Sequence, residues 1–118
     1  MTDVYTPYDP TLLPSPVVAY LDARDDHRHA DATAVFSPDA VVIDDGRTYR
    51  GRDAISAWIA TSSTEFTYTS SRLDQWVDDT RRAVVRVRLD GNFPGGTVLL
   101  RHGFDLAAGC IERLVIEV

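Results

Sequence analysis

The chain has 118 residues, the size of one ordinary domain and too short for two. With 44% hydrophobic and 25% charged residues, and four Phe, five Tyr and two Trp, it carries enough apolar mass to bury a core, which excludes wholesale disorder. Twelve basic against 18 acidic residues give a formal charge of -6, so its field repels phosphate backbones and anionic lipid headgroups. Nucleic acid and acidic membranes are therefore not expected as partners.

All 12 basic residues are Arg and 15 of the 18 acids are Asp, a skew that points to GC-rich bacterial codon usage and carries no function. The lone Cys110 can form no intrachain disulfide and supply no zinc cluster, and it reads as a small apolar filler. The N-terminus lacks a basic stretch followed by an apolar one, and no run approaches the ~18 apolar residues of a membrane span. A cytoplasmic protein is the expectation.

Residues 1 to 15 carry Pro7, Pro10 and Pro14, which forbid a helix or a central strand and predict an extended arm on the surface of one domain spanning 16–118. Ser15 as N-cap with Pro16 at the first helical position opens a short helix whose apolar face runs from Val17 to Leu21, fading in the charged stretch Asp22 to Arg28. A second helix fits His29 to Phe36 and ends at Ser37-Pro38. The β-branched run 40–44 is a strand, Asp45-Gly46 a hairpin turn, and Arg47 to Arg50 the return strand. Ala54, Ile55, Trp58 and Ile59 form the stripe of a third helix over 53–62.

Beyond it the pattern has period two. Phe66, Tyr68 and Ser70 share one face of a strand, Ala83, Val85, Val87 and Leu89 one face of the next, and Thr97–Leu106 and Cys110–Val118 form two more. Helices at the front and strands at the back predict an α+β fold in which three helices pack in a curved antiparallel sheet that closes round a cup.

Four runs in this order resemble the nuclear transport factor 2-like superfamily, in its SnoaL-like and ketosteroid-isomerase-like branch. They are Val18-Ala19-Tyr20-Leu21-Asp22-Ala23, Val35-Phe36-Ser37-Pro38-Asp39-Ala40-Val41-Val42, Tyr49-Arg50-Gly51-Arg52-Asp53-Ala54-Ile55, and Leu114-Val115-Ile116. The resemblance covers 16–118. It implies a cone-shaped α+β barrel with a mostly apolar pocket at its open end, commonly dimeric through the outer sheet face. It does not imply one reaction, because the superfamily holds isomerases, polyketide cyclases, epoxide hydrolases, dehydratases and members that only bind or assemble.

Asp44 is in phase with Val42, so a carboxylate at the strand end is aimed at the cup if Val42 faces it. The resemblance matches Asp44 to the aspartate general base of isomerase-like members, and Tyr20 to their oxyanion-hole tyrosine. Against this, Asp44 can simply open the turn, and Tyr20 can be a core residue with its hydroxyl at the rim. His102 is in phase with Leu100 and Phe104 on an inward face, about where isomerase-like members carry a protonated aspartate; it is either a donor or acid beside Asp44 or a satisfied core histidine.

Val42, Trp58, Phe66, Tyr68, Leu100 and Phe104, with Trp76, are the expected apolar walls for a small cyclic ligand, and equally the contents of an ordinary core. The loop Asn92–Gly96, with Phe93, belongs at the cup rim or in a dimer contact. His27 and His29 point about 200° apart on a helix, so no metal is expected, and no phosphate loop or other cofactor motif is present. An epoxide hydrolase would need a second inward carboxylate to pair with Asp44, and none is evident. The alternative to a cofactor-independent isomerase, cyclase or dehydratase is a non-catalytic ligand-binding or dimeric assembly domain.

Overall fold

The structure, a computed structural model, describes residues 4–65, 67–78 and 81–118. Its elements are β1 (Thr6–Pro7), α1 (Ser15–Asp25), α2 (His29–Ala34), β2 (Phe36–Asp44), β3 (Arg47–Arg50), α3 (Gly51–Glu65), β4 (Tyr68–Asp78), β5 (Arg82–Gly91), β6 (Thr97–Ala107) and β7 (Cys110–Glu117). The strands form one sheet in the order β1-β4-β5-β6-β7-β2-β3. It wraps the helices, and their shared core includes Val17, Tyr20, Ile55, Ile59, Phe36 and Phe104.

The sheet is mixed, which corrects the antiparallel expectation: β2 runs parallel to β7 while the other neighbouring pairs are antiparallel. The strand also starts at Phe36 rather than at 40. Phe36 pairs with Ile111, the register shifts across Ser37-Pro38-Asp39, and pairing resumes at Val41. Proline has no N–H to give a ladder, so it occupies the irregularity instead of ending the strand. The second helix accordingly stops at Ala34.

Alpha1 begins at Ser15, but the Ser15 side chain makes no cap; Pro14 holds the cap position and its carbonyl accepts from Val17 N–H at 3.0 Å. The helix runs through the charged stretch as far as Asp25, further than its composition suggested. The arm is held as a strap along the sheet edge. Beta1 pairs with β4, and the buried Gln75 side chain both accepts from Asp9 N–H at 2.9 Å and donates to Asp9 C=O at 3.0 Å. That amide stands in for one further rung of ladder. Tyr5 lies on the outer sheet face beneath the Arg86 guanidinium, whose carbon is 4.0 Å from the ring centroid.

Register sorts the inner face into rows. Val42, Leu114, Phe104, Ala83 and Val77 face one another across five strands, and all but Val77 are fully buried. One step toward the open end, the row reads Asp44, Ile116, His102, Val85 and Gln75. A register shift between Arg72 and Asp74 puts Tyr68, Ser70 and Arg72 inward but turns Trp76 onto the outer face opposite Val84. Trp76 is thus no wall of the cup: one extra residue reverses a strand's phase.

Candidate functional site

The cup opens into a cavity of about 720 Å³ lined from α1, α3, the β2–β3 turn, the inner sheet face and the loop after β5. Its Asp44 corner is made by local rules. Asp45 and Gly46 both have positive φ, 52° and 75°, the two-residue type I′ hairpin that matches strand twist. The turn belongs to those two residues, so Asp44 is the last paired residue of β2, opposite Arg47, and its side chain is not spent on the turn. Its Oδ2 accepts from the Trp58 indole N–H at 3.0 Å.

The register sets the distance to the opposite wall. Asp44 and His102 each pair with Ile116, so their backbones stand two strand spacings apart, roughly 10 Å. That span leaves room for a ligand over Ile116 touching both. His102 is 9% exposed, lies parallel to Phe104 with 6.3 Å between centroids, and its Nδ1 has no hydrogen-bond partner. Burial, reinforced by the nearby Arg24 charge, lowers its pKa to about 4, against smaller opposing effects of the Leu100 and Val85 carbonyls. At neutral pH it is an uncharged imidazole.

Alpha1 supplies the third wall. Val17, Tyr20, Leu21 and Arg24 follow helical spacing along one face, so the same stripe that enters the core carries Arg24 to the cavity at the helix C-terminal turn. Tyr20 is 2% exposed, its ring edge-on to Phe36 and Phe104. Burial raises its pKa although Arg24 opposes this, so the phenol keeps its proton. Arg24 donates to the Tyr20 hydroxyl at 3.0 Å and to Ser62 Oγ at 2.9 Å, with its guanidinium carbon 4.9 Å from the Trp58 ring centroid.

Of the residues expected at the site, Tyr20, Asp44, Trp58, Tyr68, Leu100 and His102 line this one cavity. Val42 and Phe104 do not line it: both are fully buried in the row beneath, as its floor. Phe66 lies outside the described residues. Phe93 and Pro94 of the Asn92–Gly96 loop line the cavity. Sequence reasoning missed Arg24, hidden in a run that reads as a fading helix end; its spacing of four from Tyr20 was the available signal. It also missed Asp25, a second carboxylate at the wall, whose oxygens accept from Ser70 at 2.8 Å and Arg72 at 2.9 Å. Among the described residues, no group of three or more His, Cys, Asp and Glu could hold a metal ion, and no helix is long and apolar enough to cross a membrane.

A family model, the SnoaL-like domain, matches residues 17–109. The chain belongs to the SnoaL-like domain family. Among solved structures, a candidate polyketide cyclase from Sinorhizobium meliloti is 34% identical to this SnoaL-like chain, with 93% of this chain and 100% of that one covered at a TM-score of 0.87. A protein with a ketosteroid isomerase-like fold from Catenulispora acidiphila, in complex with trimethylamine, shares 17% identity over 90% of this chain and 86% of its own, TM-score 0.78. A Mycobacterium tuberculosis protein in complex with estradiol-17beta-hemisuccinate shares 16% over 87% of this chain and 90% of its own, TM-score 0.74. No curated protein matches the sequence. The last two likenesses speak for the cone alone, and their differing ligands leave chemistry to the side chains of each cup.

Proposed function

We propose that this SnoaL-like domain binds a small, largely apolar cyclic molecule in the cup and moves a proton beside its carbonyl without a cofactor. The observation that carries the reading is the Asp44 carboxylate, held by the Trp58 indole at the wall of a cavity that aromatic side chains border without filling. Asp44 takes a proton from the carbon next to the carbonyl, and the electron pair of that C–H bond moves into the carbonyl. The developing oxyanion takes hydrogen bonds from the Tyr20 hydroxyl and the neutral His102 imidazole. Return of the proton to a conjugated carbon completes an isomerisation; attack by the carbanion on a second carbonyl closes a ring; loss of a β-hydroxyl is a dehydration.

Tyr20 suits the donor role because its oxygen already accepts from Arg24 while its own proton is retained. The Sinorhizobium meliloti relative, named as a candidate polyketide cyclase, supports a cyclic polyketide-like ligand, and the steroid ester bound by the Mycobacterium tuberculosis protein of the same fold is consistent with a ligand of that size. A second copy of the chain is the proposed partner, met through the outer sheet face, where Leu99 is 54% exposed.

The test is solvent deuterium exchange at the α-carbon of a cyclic ketone such as 1-tetralone, followed by proton NMR. Wild-type protein should accelerate exchange and Asp44→Asn should lower that acceleration by roughly 10²- to 10⁴-fold. Equal acceleration by the variant would remove Asp44 as the base. Ketone-induced shifts of the Trp58 indole signal with no exchange would make the domain a binding module.

A further inference from the structure

Two arginines line the cavity, and they differ in their partners. Arg72 meets Asp22 and Asp25, each at 2.9 Å, and donates to the Tyr8 hydroxyl at 2.7 Å. Glu117 meets Arg101 at 3.1 Å. Arg24, by contrast, has no carboxylate within 4.0 Å among the described residues, and its guanidinium faces neutral hydroxyls, on Tyr20, Ser62 and Tyr68. Its Nε is buried with no hydrogen-bond partner, and so is Nδ1 of His102 in the facing sheet wall. Asp44 does not neutralise it: the Trp58 ring lies against the guanidinium, and Asp44 takes the indole N–H instead of an arginine N–H.

A guanidinium partly withdrawn from water without a counter-ion is costly, and cation–π contact with one indole offsets only part of that cost. The missing anion has to come from elsewhere. We propose that the ligand of this cup carries an ionised carboxylate on its cyclic apolar body, and that Arg24 is the residue that selects for it. This deepens the reading of the cup as a small-molecule pocket and rests on it. A carboxylate fits better than a neutral carbonyl because a guanidinium fork offers five N–H groups, more than the Tyr20, Ser62 and Tyr68 hydroxyls use, and a carboxylate accepts two in parallel. It also fits better than an enolate, which exists only in passage and leaves the cation unbalanced while the substrate binds. The overall charge of -6 does not oppose this, since Asp25 and Glu117 are each paired with an arginine and exposed charges are screened within about 8 Å at physiological salt, while the unpaired Asp44 and Asp45 confine the ligand's own carboxylate to the Arg24 side of the cavity.

The experiment compares 2-naphthoate with its uncharged isostere 2-naphthamide by calorimetric titration at pH 7.5, on wild type, Arg24→Met and Arg24→Lys. Wild type should bind the naphthoate at least tenfold more tightly. Arg24→Met should lose that preference, and Arg24→Lys should keep part of it. An amide that binds wild type as tightly as the acid overturns the assignment of an anion while leaving the pocket intact, and this comparison needs no variant to fold. A preference that survives in folded Arg24→Met removes Arg24 as its source. Failure of wild type to bind either compound overturns the small-molecule pocket itself, and the anion with it.

Discussion

Two neighbouring rows of the same sheet, one step apart along the strands, have opposite characters. The lower row, Val42, Leu114, Phe104 and Ala83, is wholly apolar and without exposure. The upper row sets Asp44, His102 and Gln75 among Ile116 and Val85. Alpha1 makes the same change in one turn, from Tyr20 and Leu21 to Arg24. Polar side chains on elements far apart in sequence therefore arrive at one level of the cone, the level at which packing gives way to a cavity. Below that level the cone is held together; at it, Asp44, His102 and Arg24 border the cavity.

The contrast breaks most sharply at Phe104. It is fully buried against Tyr20, with 5.8 Å between ring centroids, so Phe104→Ala leaves a closed void and should cost about 3–5 kcal/mol. Leu100, one step on the other side of His102, borders open space, and Leu100→Ala should cost less than about 1.5 kcal/mol by urea denaturation. Equal losses at the two positions would mean that the cup is packed shut in solution.

His102 should show its level through acid. With its pKa lowered in the fold from 6.5 to about 4, the unfolded chain binds the proton first, so this residue opposes folding progressively as pH falls from about 6.5 to about 4. Above pH 6.5 it has no effect. The total is about 3 kcal/mol at the acid end, carried by a residue 9% exposed. Stability of wild type relative to His102→Leu should therefore fall between pH 7 and pH 4, and a constant difference would show that the imidazole is reached by water.

Much of this was legible in the sequence, for physical reasons that differ by element. The alternation Ala83, Val85, Val87 on β5 and the stripe Ile55, Trp58, Ile59 on α3 are local periodicities, and burial follows both. Asp45-Gly46 is a turn by backbone preference alone, which frees Asp44 to be read as pocket-facing. The parallel pairing of β2 with β7 joins residues more than 70 positions apart, and no local pattern encodes it. Trp76 was misplaced because a bulge is a single residue of slack that periodicity cannot see, and Arg24 was missed because a charged side chain is expected in solvent. Its long aliphatic stem lets the charged head lie at the Trp58 face while its backbone stays on the helix.

Gln75 sharpens the comparison from inside the upper row, since it is polar and buried yet fully engaged with the Asp9 backbone. It serves the strap and not the cup. Gln75→Ala should cost about 1–3 kcal/mol for two lost hydrogen bonds and make the arm N-terminal to Leu13 sensitive to limited proteolysis, with 2-naphthoate affinity unchanged. A tenfold change in that affinity would tie the arm to the site.

The smallest effect is expected at Gly46. A Cβ there would meet nothing within 4 Å, so Gly46→Ala tests only the left-handed backbone at φ 75° and should cost about 1 kcal/mol. Its use is that Asp44 sits two residues away, on the last pair of the hairpin. If the Trp58 indole holds the carboxylate, a slightly loosened turn leaves Asp44 in place, and the indole N–H proton shift should not move. A shifted indole signal with unchanged fold would mean that the turn, and not Trp58, fixes Asp44 at the wall.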